Sequence, residues 1–135
     1  MKKFLVCALV VGLSFGMAAR PAFATKPYGE AWTAFYLKDS NNAEFKKLGE
    51  EAKCNVCHVD KEDKKKVRNP YGVEAQKLIN KNTIAPAKFK SEPDKAKAEI
   101  EAAFKKLEEV KAKDGKTFGE KIKAGQLPGG DVTGK

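Results

Sequence analysis

The stretch Lys53–Asp60 reads K-C-N-V-C-H-V-D. It holds two thiols three residues apart, Cys54 and Cys57, and an imidazole, His58, directly after the second. His58 is the only histidine among the 135 residues. The remaining cysteine, Cys7, and both methionines, Met1 and Met17, lie upstream of Thr25. C-x-x-C-H is the attachment pattern of c-type haem. Two cysteines three apart on a helical turn reach the two vinyl groups on the porphyrin edge. The histidine that follows lies under the ring and binds iron. A cofactor of that size bears directly on the fold, because the chain has to enclose it.

The N-terminus points to the compartment that such attachment needs, outside the cytoplasm. Met1-Lys2-Lys3 is a short basic start, Phe4–Met17 is a 14-residue apolar run, and Ala22-Phe23-Ala24 matches an A-x-A cleavage site. This is the pattern of a secretory signal peptide, expected over residues 1–24 and leaving 25–135 as one domain. The run is shorter than the roughly 18–20 residues a spanning helix needs. An uncleaved anchor is the alternative, and the A-x-A that ends the run argues against it. Cys7 stands at the front of the run, away from the cleavage point, so a lipid anchor is not expected there. No twin arginine is present, which suits the general secretory route. The expected location is the periplasm or another exported compartment, with no membrane span after cleavage.

Cleavage would leave 111 residues and remove Lys2, Lys3 and Arg20 but no acids, so the formal charge falls from +9 to +6. Charge of this size steers encounter with an acidic partner protein. It would also suit nucleic acid, but the lysines alternate with glutamates and no nucleic-acid motif appears. The plain reading is a solvated, lysine-rich helical surface.

Downstream of the leader nearly every periodic signal is helical, so the fold class expected is all-α. Tyr28–Lys38 places Trp32, Phe35 and Tyr36 at spacings of three and four. Asp39–Asn42 is a turn that supplies caps. Ala43–Lys53 sets Phe45, Leu48 and Ala52 on one face and leads straight into Cys54. Val59–Asn69 is a charged linker, Pro70-Tyr71-Gly72 a turn, and Val73–Asn80 a short helix with Leu78 and Ile79 inward. Asn82–Lys90 has no period and reads as a loop. Ser91-Glu92-Pro93-Asp94 matches a capping box with proline in the first turn. The helix it starts should run to about Ala112 with a stripe of Ala96, Ile100, Ala103, Phe104, Leu107 and Val110. Asp114-Gly115 ends it. Thr117–Glu120 is a second capping box, Gly125 closes the helix that follows, and Leu127–Gly130 looks frayed. A helical chain of this length buries only a modest core by itself, and a large apolar cofactor would add the missing volume.

Other chemistries for the motif have weaker footing. Structural zinc takes four ligands as a rule, and Cys54, Cys57 and His58 make three. A carboxylate would have to complete the site. A thioredoxin-like C-x-x-C sits at a strand-to-helix junction, and no strand pattern precedes Cys54. A plain structural disulfide is a further alternative.

With the leader, a single C-N-V-C-H and a helical chain of this length, the sequence resembles the small monohaem cytochromes c. The resemblance implies a compact, cytochrome c-like helical domain around one covalent haem c. Cys54 and Cys57 match the thioether cysteines, and His58 matches the proximal iron ligand. The implied role is electron transfer with a redox partner protein, acidic if the lysines dock it. The chain departs from the common pattern in two places. A lysine-rich linker replaces the proline-containing loop after the motif, and no distal methionine follows. Cytochromes of the c′ type keep an open sixth position but carry their motif near the C-terminus. Arg68–Gly72 (R-N-P-Y-G) and Asp114–Gly130 also look similar to small cytochromes of planctomycete-type bacteria, in which a cysteine can be the distal ligand. No cysteine is available for that here.

The sixth position is therefore open to weak candidates. A lysine would have to lose a proton from a group of pKa near 10.4. Tyr28, Tyr36 or Tyr71 would offer a phenol or phenolate, and tyrosine ligates some haems. The α-amine of Thr25 is the last. The expected state is a five-coordinate or weakly ligated iron, and the alternative function is binding of a diatomic gas such as NO or CO. Catalysis is not expected. A peroxidase needs polar distal groups such as His and Arg, and after cleavage Arg68 would be the sole arginine.

Overall fold

The computed structural model describes residues 26–132 apart from Lys65. The expected leader over 1–24 and the Thr25 amine lie outside the described residues. Six α-helices follow in order: α1 (Lys26–Tyr36), α2 (Ala43–Ala52), α3 (Pro70–Leu78), α4 (Lys88–Ser91), α5 (Pro93–Glu108) and α6 (Phe118–Lys123). One 3₁₀ turn, Lys53–Val56, joins α2 to the rest of C-N-V-C-H. Only isolated bridges, His58–Arg68 and Lys111–Thr117, interrupt the helical pattern among the described residues. The all-α expectation holds.

Helix α5 is the centre, packed against α1, α3, α4 and α6. Its sequence is rich in Ala, Lys and Glu, strong helix formers. Of the six residues expected on its stripe, Ala96, Ile100, Ala103, Phe104 and Leu107 are buried, while Val110 lies past the helix end and is half-buried. Its start differs from expectation. Ser91 belongs to α4, its hydroxyl donates to the Ala87 carbonyl at 3.4 Å, and Glu92 takes the N-cap without a side-chain bond. Lys88 Nζ, 2.6 Å from both Glu99 carboxylate oxygens, ties α4 to α5. Asn82–Lys90 is thus a loop that ends in helix.

The end of α5 comes at Glu108, short of Ala112, because the chain folds back on itself. Phe118 N donates to the Val110 carbonyl at 2.9 Å and Ala112 N to Lys116 at 2.8 Å. Gly115, at φ +84°, makes the reversal in a conformation that costs glycine little. The second capping box forms as read. Thr117 Oγ1 accepts from Glu120 N at 3.1 Å, and Thr117 N donates to the Glu120 carboxylate at 2.6 Å. The box sets the entry angle that buries Phe118. Thr117→Ala is expected to lower unfolding stability by about 1 kcal/mol, read as a smaller urea midpoint at unchanged slope.

Three further readings are corrected. In α2 the buried face is Phe45, Gly49 and Ala52, while Leu48 is 38% exposed. The face turns through Gly49 because Leu37 lies against it: a Cβ there would stand 2.7 Å from Leu37 Cδ1. Pro70-Tyr71-Gly72 is the first turn of α3, not a separate turn. Asn69 caps it and Pro70 takes the first helical position, where a missing N–H costs nothing. Leu127–Gly130 is packed, not frayed. Leu127 and Pro128 are buried, and Gly129 meets the Asn69 side chain.

Candidate cofactor site

The motif sits on a tight, backbone-bonded turn. Helix α2 stops at Ala52, and Lys53 turns the chain at φ +48°, ψ −116°, where a residue with a Cβ is strained by about 1–3 kcal/mol. The Cys54 carbonyl then accepts from both Cys57 N (3.2 Å) and His58 N (3.1 Å), so the two cysteines share one turn. Cys54 is exposed; Cys57 is partly buried. Burial pushes the Cys57 thiol up to about 12, against a downward pull from Arg68 and with a small upward push from Cys54. Cys57 is a protonated thiol at neutral pH.

Arg68–Gly72 clamps this turn from the other side. His58 and Arg68 form an antiparallel bridge. Next to it, Asn69 N donates to the Cys57 carbonyl at 3.1 Å. The buried Asn69 side chain donates from Nδ2 to the carbonyls of Val56 (2.8 Å) and Asn55 (3.2 Å). Its Oδ1 accepts from Gly72 N at 2.8 Å, capping α3. Gly72 lies so close to the motif that a Cβ would fall 1.9 Å from the Cys57 carbonyl oxygen. The charged linker is what allows this return. From Asp60 the chain also bonds the C-terminal segment, with Asp60 N donating to Val132 O at 2.7 Å.

His58 Nδ1 stands 3.2 Å from the Val67 carbonyl oxygen. A carbonyl only accepts, so the Nδ1 carries the proton and a neutral ring keeps its lone pair on Nε2. Second-sphere bonds of this kind orient metal-binding imidazoles. Burial lowers the His58 pKa; the Val67 carbonyl raises it, and Arg68 and Lys64 lower it further. The unfolded imidazole therefore holds its proton at higher pH than the folded one. Without cofactor, the chain is expected to lose stability as pH falls below about 6.5. Urea midpoints at pH 7.5 and 5.5 check this, and His58→Gln should flatten the difference.

Beside the motif lies a cavity of about 550 Å³, within the roughly 300–1,000 Å³ of cofactor and ligand sites. Cys54 and Cys57 both line it; His58 is beside it and is not part of its lining. Its inner wall is buried: Trp32, Val56, Tyr71, Ala75, Ile79 and Phe104. Lys53, Gln76, Lys81 and Asn82 stand exposed at its mouth, with Arg68 half-buried. Two polar atoms of the inner wall, Trp32 Nε1 and Tyr71 Oη, are buried, and the Tyr71 hydroxyl faces Trp32 and Tyr36. A second, more open groove of about 730 Å³ runs between α1 and α2 and shares Gly29, Lys53 and Cys54 with the first. Lys26, Lys38 and Lys46 flank it.

The tyrosines proposed as iron ligands are phenols here. Burial raises the pKa of all three, with Tyr71 and Glu108 adding to the effect at Tyr36 and Cys57 at Tyr71, where Trp32 and Tyr36 pull the other way. Tyr28 donates to the Ile84 carbonyl and Tyr36 to the Phe104 carbonyl at 3.3 Å, so two of the hydroxyls are already engaged. Among the described residues no group of three or more His, Cys, Asp or Glu side chains is gathered to hold a metal ion. The zinc alternative for the motif gains nothing from the geometry.

Two features suit a covalently held haem, two thiols on one turn and a cavity beside that turn, while His58 stands outside the lining of that cavity. Sequence reading missed Asn69, Gly72 and the Val67 carbonyl. The pair Asn69-Pro70 carried a usable signal, since Asn before Pro is a helix N-cap followed by its first position. No protein-family model matches the chain, and no curated protein or solved structure does so either.

Proposed function

We propose that the chain is an exported monohaem c-type cytochrome that carries electrons to and from a partner protein. In this reading Cys54 and Cys57 bond the porphyrin edge, His58 is the axial iron ligand, and the helices form a cytochrome c-like shell. The observation that carries it is C-N-V-C-H itself, with both cysteines facing one cavity. The leader, residues 1–24, supports it independently, because attachment takes place after export.

Each residue has a definite task. The Cys54 carbonyl holds the turn, so the two thiols reach one edge together. The Val67 carbonyl keeps the proton on His58 Nδ1 and leaves Nε2 to bind. Val56, Ala75, Ile79 and Phe104 exclude water from the inner cavity. The haem supplies one-electron redox chemistry when bound. With no methionine after Met17, the potential is expected below that of Met/His cytochromes. Lys26, Lys38, Lys46 and Lys53, on the side where Cys54 is exposed, give an acidic partner a docking charge, at a rate that falls with salt.

The full-length gene, expressed in a host that exports and matures c-type cytochromes, tests this. One haem per chain should stay attached through denaturation, read by haem staining and intact mass. The double variant Cys54→Ala/Cys57→Ala should lose it entirely. A mature wild-type chain without covalent haem would falsify the proposal.

A second reading is a five-coordinate haem that binds a diatomic gas. It is favoured by a sequence that offers neither methionine nor a second histidine after Thr25. Ferrous spectra with and without CO separate the two.

A further inference from the structure

The side chains of this chain that lose an electron most easily are gathered in one place. Trp32, its only tryptophan, lines the cavity beside Cys54 and Cys57 and is 3% exposed. The ring of Tyr36, which is outside the lining, lies 5.2 Å from it between centroids. Tyr71, fully buried, lines the same cavity, and its hydroxyl faces both Trp32 and Tyr36. Two of the three tyrosines are therefore in contact with the one indole. Phenylalanine fills space equally well, as Phe35 and Phe104 do against the Tyr36 ring. Indole and phenol add a lower cost of oxidation.

Proton traffic separates the tyrosines. Burial raises the pKa of each, so each is a phenol at neutral pH. An oxidised phenol is a strong acid, and it forms readily only where its proton has a place to go. Tyr28 donates to the Ile84 carbonyl, and Tyr71 meets an indole and a phenol. Tyr36 is different. Its hydroxyl donates to the Phe104 carbonyl at 3.3 Å and also faces the Glu108 side chain. A carbonyl does not keep a proton, whereas a carboxylate does. Glu108 ends α5 and is half-buried, so this acceptor borders on water.

We infer that Trp32 and Tyr36 form an oxidation relay in which Trp32 gives an electron to a strong oxidant in the cavity, Tyr36 refills Trp32, and the Tyr36 phenolic proton passes to Glu108. The inference rests on the haem reading for its oxidant, which is hydrogen peroxide reduced at the haem. Each peroxide takes two electrons and two protons and leaves as two waters. One electron comes from the haem iron and one from Trp32, and the two protons come from solvent. Tyr36 is left as a neutral tyrosyl radical, and Glu108 holds the proton as a neutral acid. An electron from the redox partner, with the return of that proton, restores the phenol. The relay carries oxidising charge away from the cofactor and so protects it.

The test mixes the mature ferric holoprotein with hydrogen peroxide and freezes it for electron paramagnetic resonance. Wild type should give a tyrosyl signal and keep most of its haem absorbance. Tyr36→Phe should abolish the signal and speed haem bleaching. Glu108→Gln, which still faces the phenol but takes no proton, should weaken the signal. Glu109→Gln, its exposed neighbour, should change neither readout. Circular dichroism reports whether each variant keeps the fold. A holoprotein without a tyrosyl signal, or with the same signal in Tyr36→Phe, overturns the relay and leaves covalent haem standing. A chain that matures without haem overturns the electron-carrier reading. The relay is then read directly by flash photoionisation of Trp32, whose radical should decay as a tyrosyl radical grows. The same decay in Tyr36→Phe would overturn the relay too.

Discussion

Asn69→Ala is expected to cost about 3–5 kcal/mol of folding stability, a large part of the 5–15 kcal/mol typical of a domain. The buried side chain makes three bonds, to the Val56 and Asn55 carbonyls and from Gly72 N, the Asn55 one part-buried. Each is worth about 1 kcal/mol net, and stranding its buried partner raises the loss to 1–3 kcal/mol. One of the three is also the N-cap of α3, which by itself accounts for about 1 kcal/mol. A melting temperature lower by about 15–30 °C, followed by circular dichroism, is the corresponding readout. Asn69→Asp divides the effect. It keeps the acceptor for Gly72 N and removes the two donations to the motif, so it should fall between wild type and alanine. An alanine variant as stable as wild type would show that the motif turn is held by other contacts. Under the proposed function, haem attachment should suffer in parallel, because the Asn69 side chain helps fasten α3 to the backbone of Asn55 and Val56.

Gly72→Ala is expected to be nearly as severe, for a different reason. The new methyl would lie 1.9 Å from the Cys57 carbonyl oxygen and 2.7 Å from its carbon. These are backbone atoms, so no rotamer change relieves the clash. Helix α3 would have to retreat from the motif by at least about 1 Å, in an interior packed as densely as a crystal. Overpacking costs about 1–3 kcal/mol where side chains give way, and more where backbone must. We expect about 3 kcal/mol, with a displaced Tyr71 and, under the proposed function, reduced covalent haem. Gly29→Ala is the control of opposite sign. Gly29 lies within α1 with nothing inside 4 Å of its would-be Cβ, so alanine there should stabilise by about 0.5–1 kcal/mol. If both substitutions proved equally harmless, the close approach of α3 to Cys57 would be wrong. Urea midpoints for the two variants decide it.

Readings that rest on local signals fared best. The buried stripe of α5 was readable because its five residues follow one helical period. Thr117 and Glu120 were readable because a capping box needs only four consecutive residues. Ser91 carried the same four-residue pattern and failed, since α4, a helix of four residues, claims it first. Leu48 failed because Phe45, Leu48 and Ala52 and Phe45, Gly49 and Ala52 are equally good helical faces. Only the position of Leu37 chooses between them.

The chain by itself determined an all-helical class, the order of the main helices and the spacing of the one C-x-x-C-H motif, C-N-V-C-H. These follow from spacing along the backbone, which a sequence records directly. It also determined what is missing, any methionine or second histidine after Thr25. Tertiary structure alone decided that the segment after the lysine-rich linker returns to the motif. It put the Asn69 side chain on three backbone groups and Gly72 against Cys57. It also buried Leu127 and Pro128 and turned two donors, Trp32 and Tyr71, to the inner wall of one cavity. Each of those facts pairs residues far apart in sequence, and no local period or cap carries their partners. The inner wall of the cavity, including whatever faces the site beside His58, belongs to this second kind.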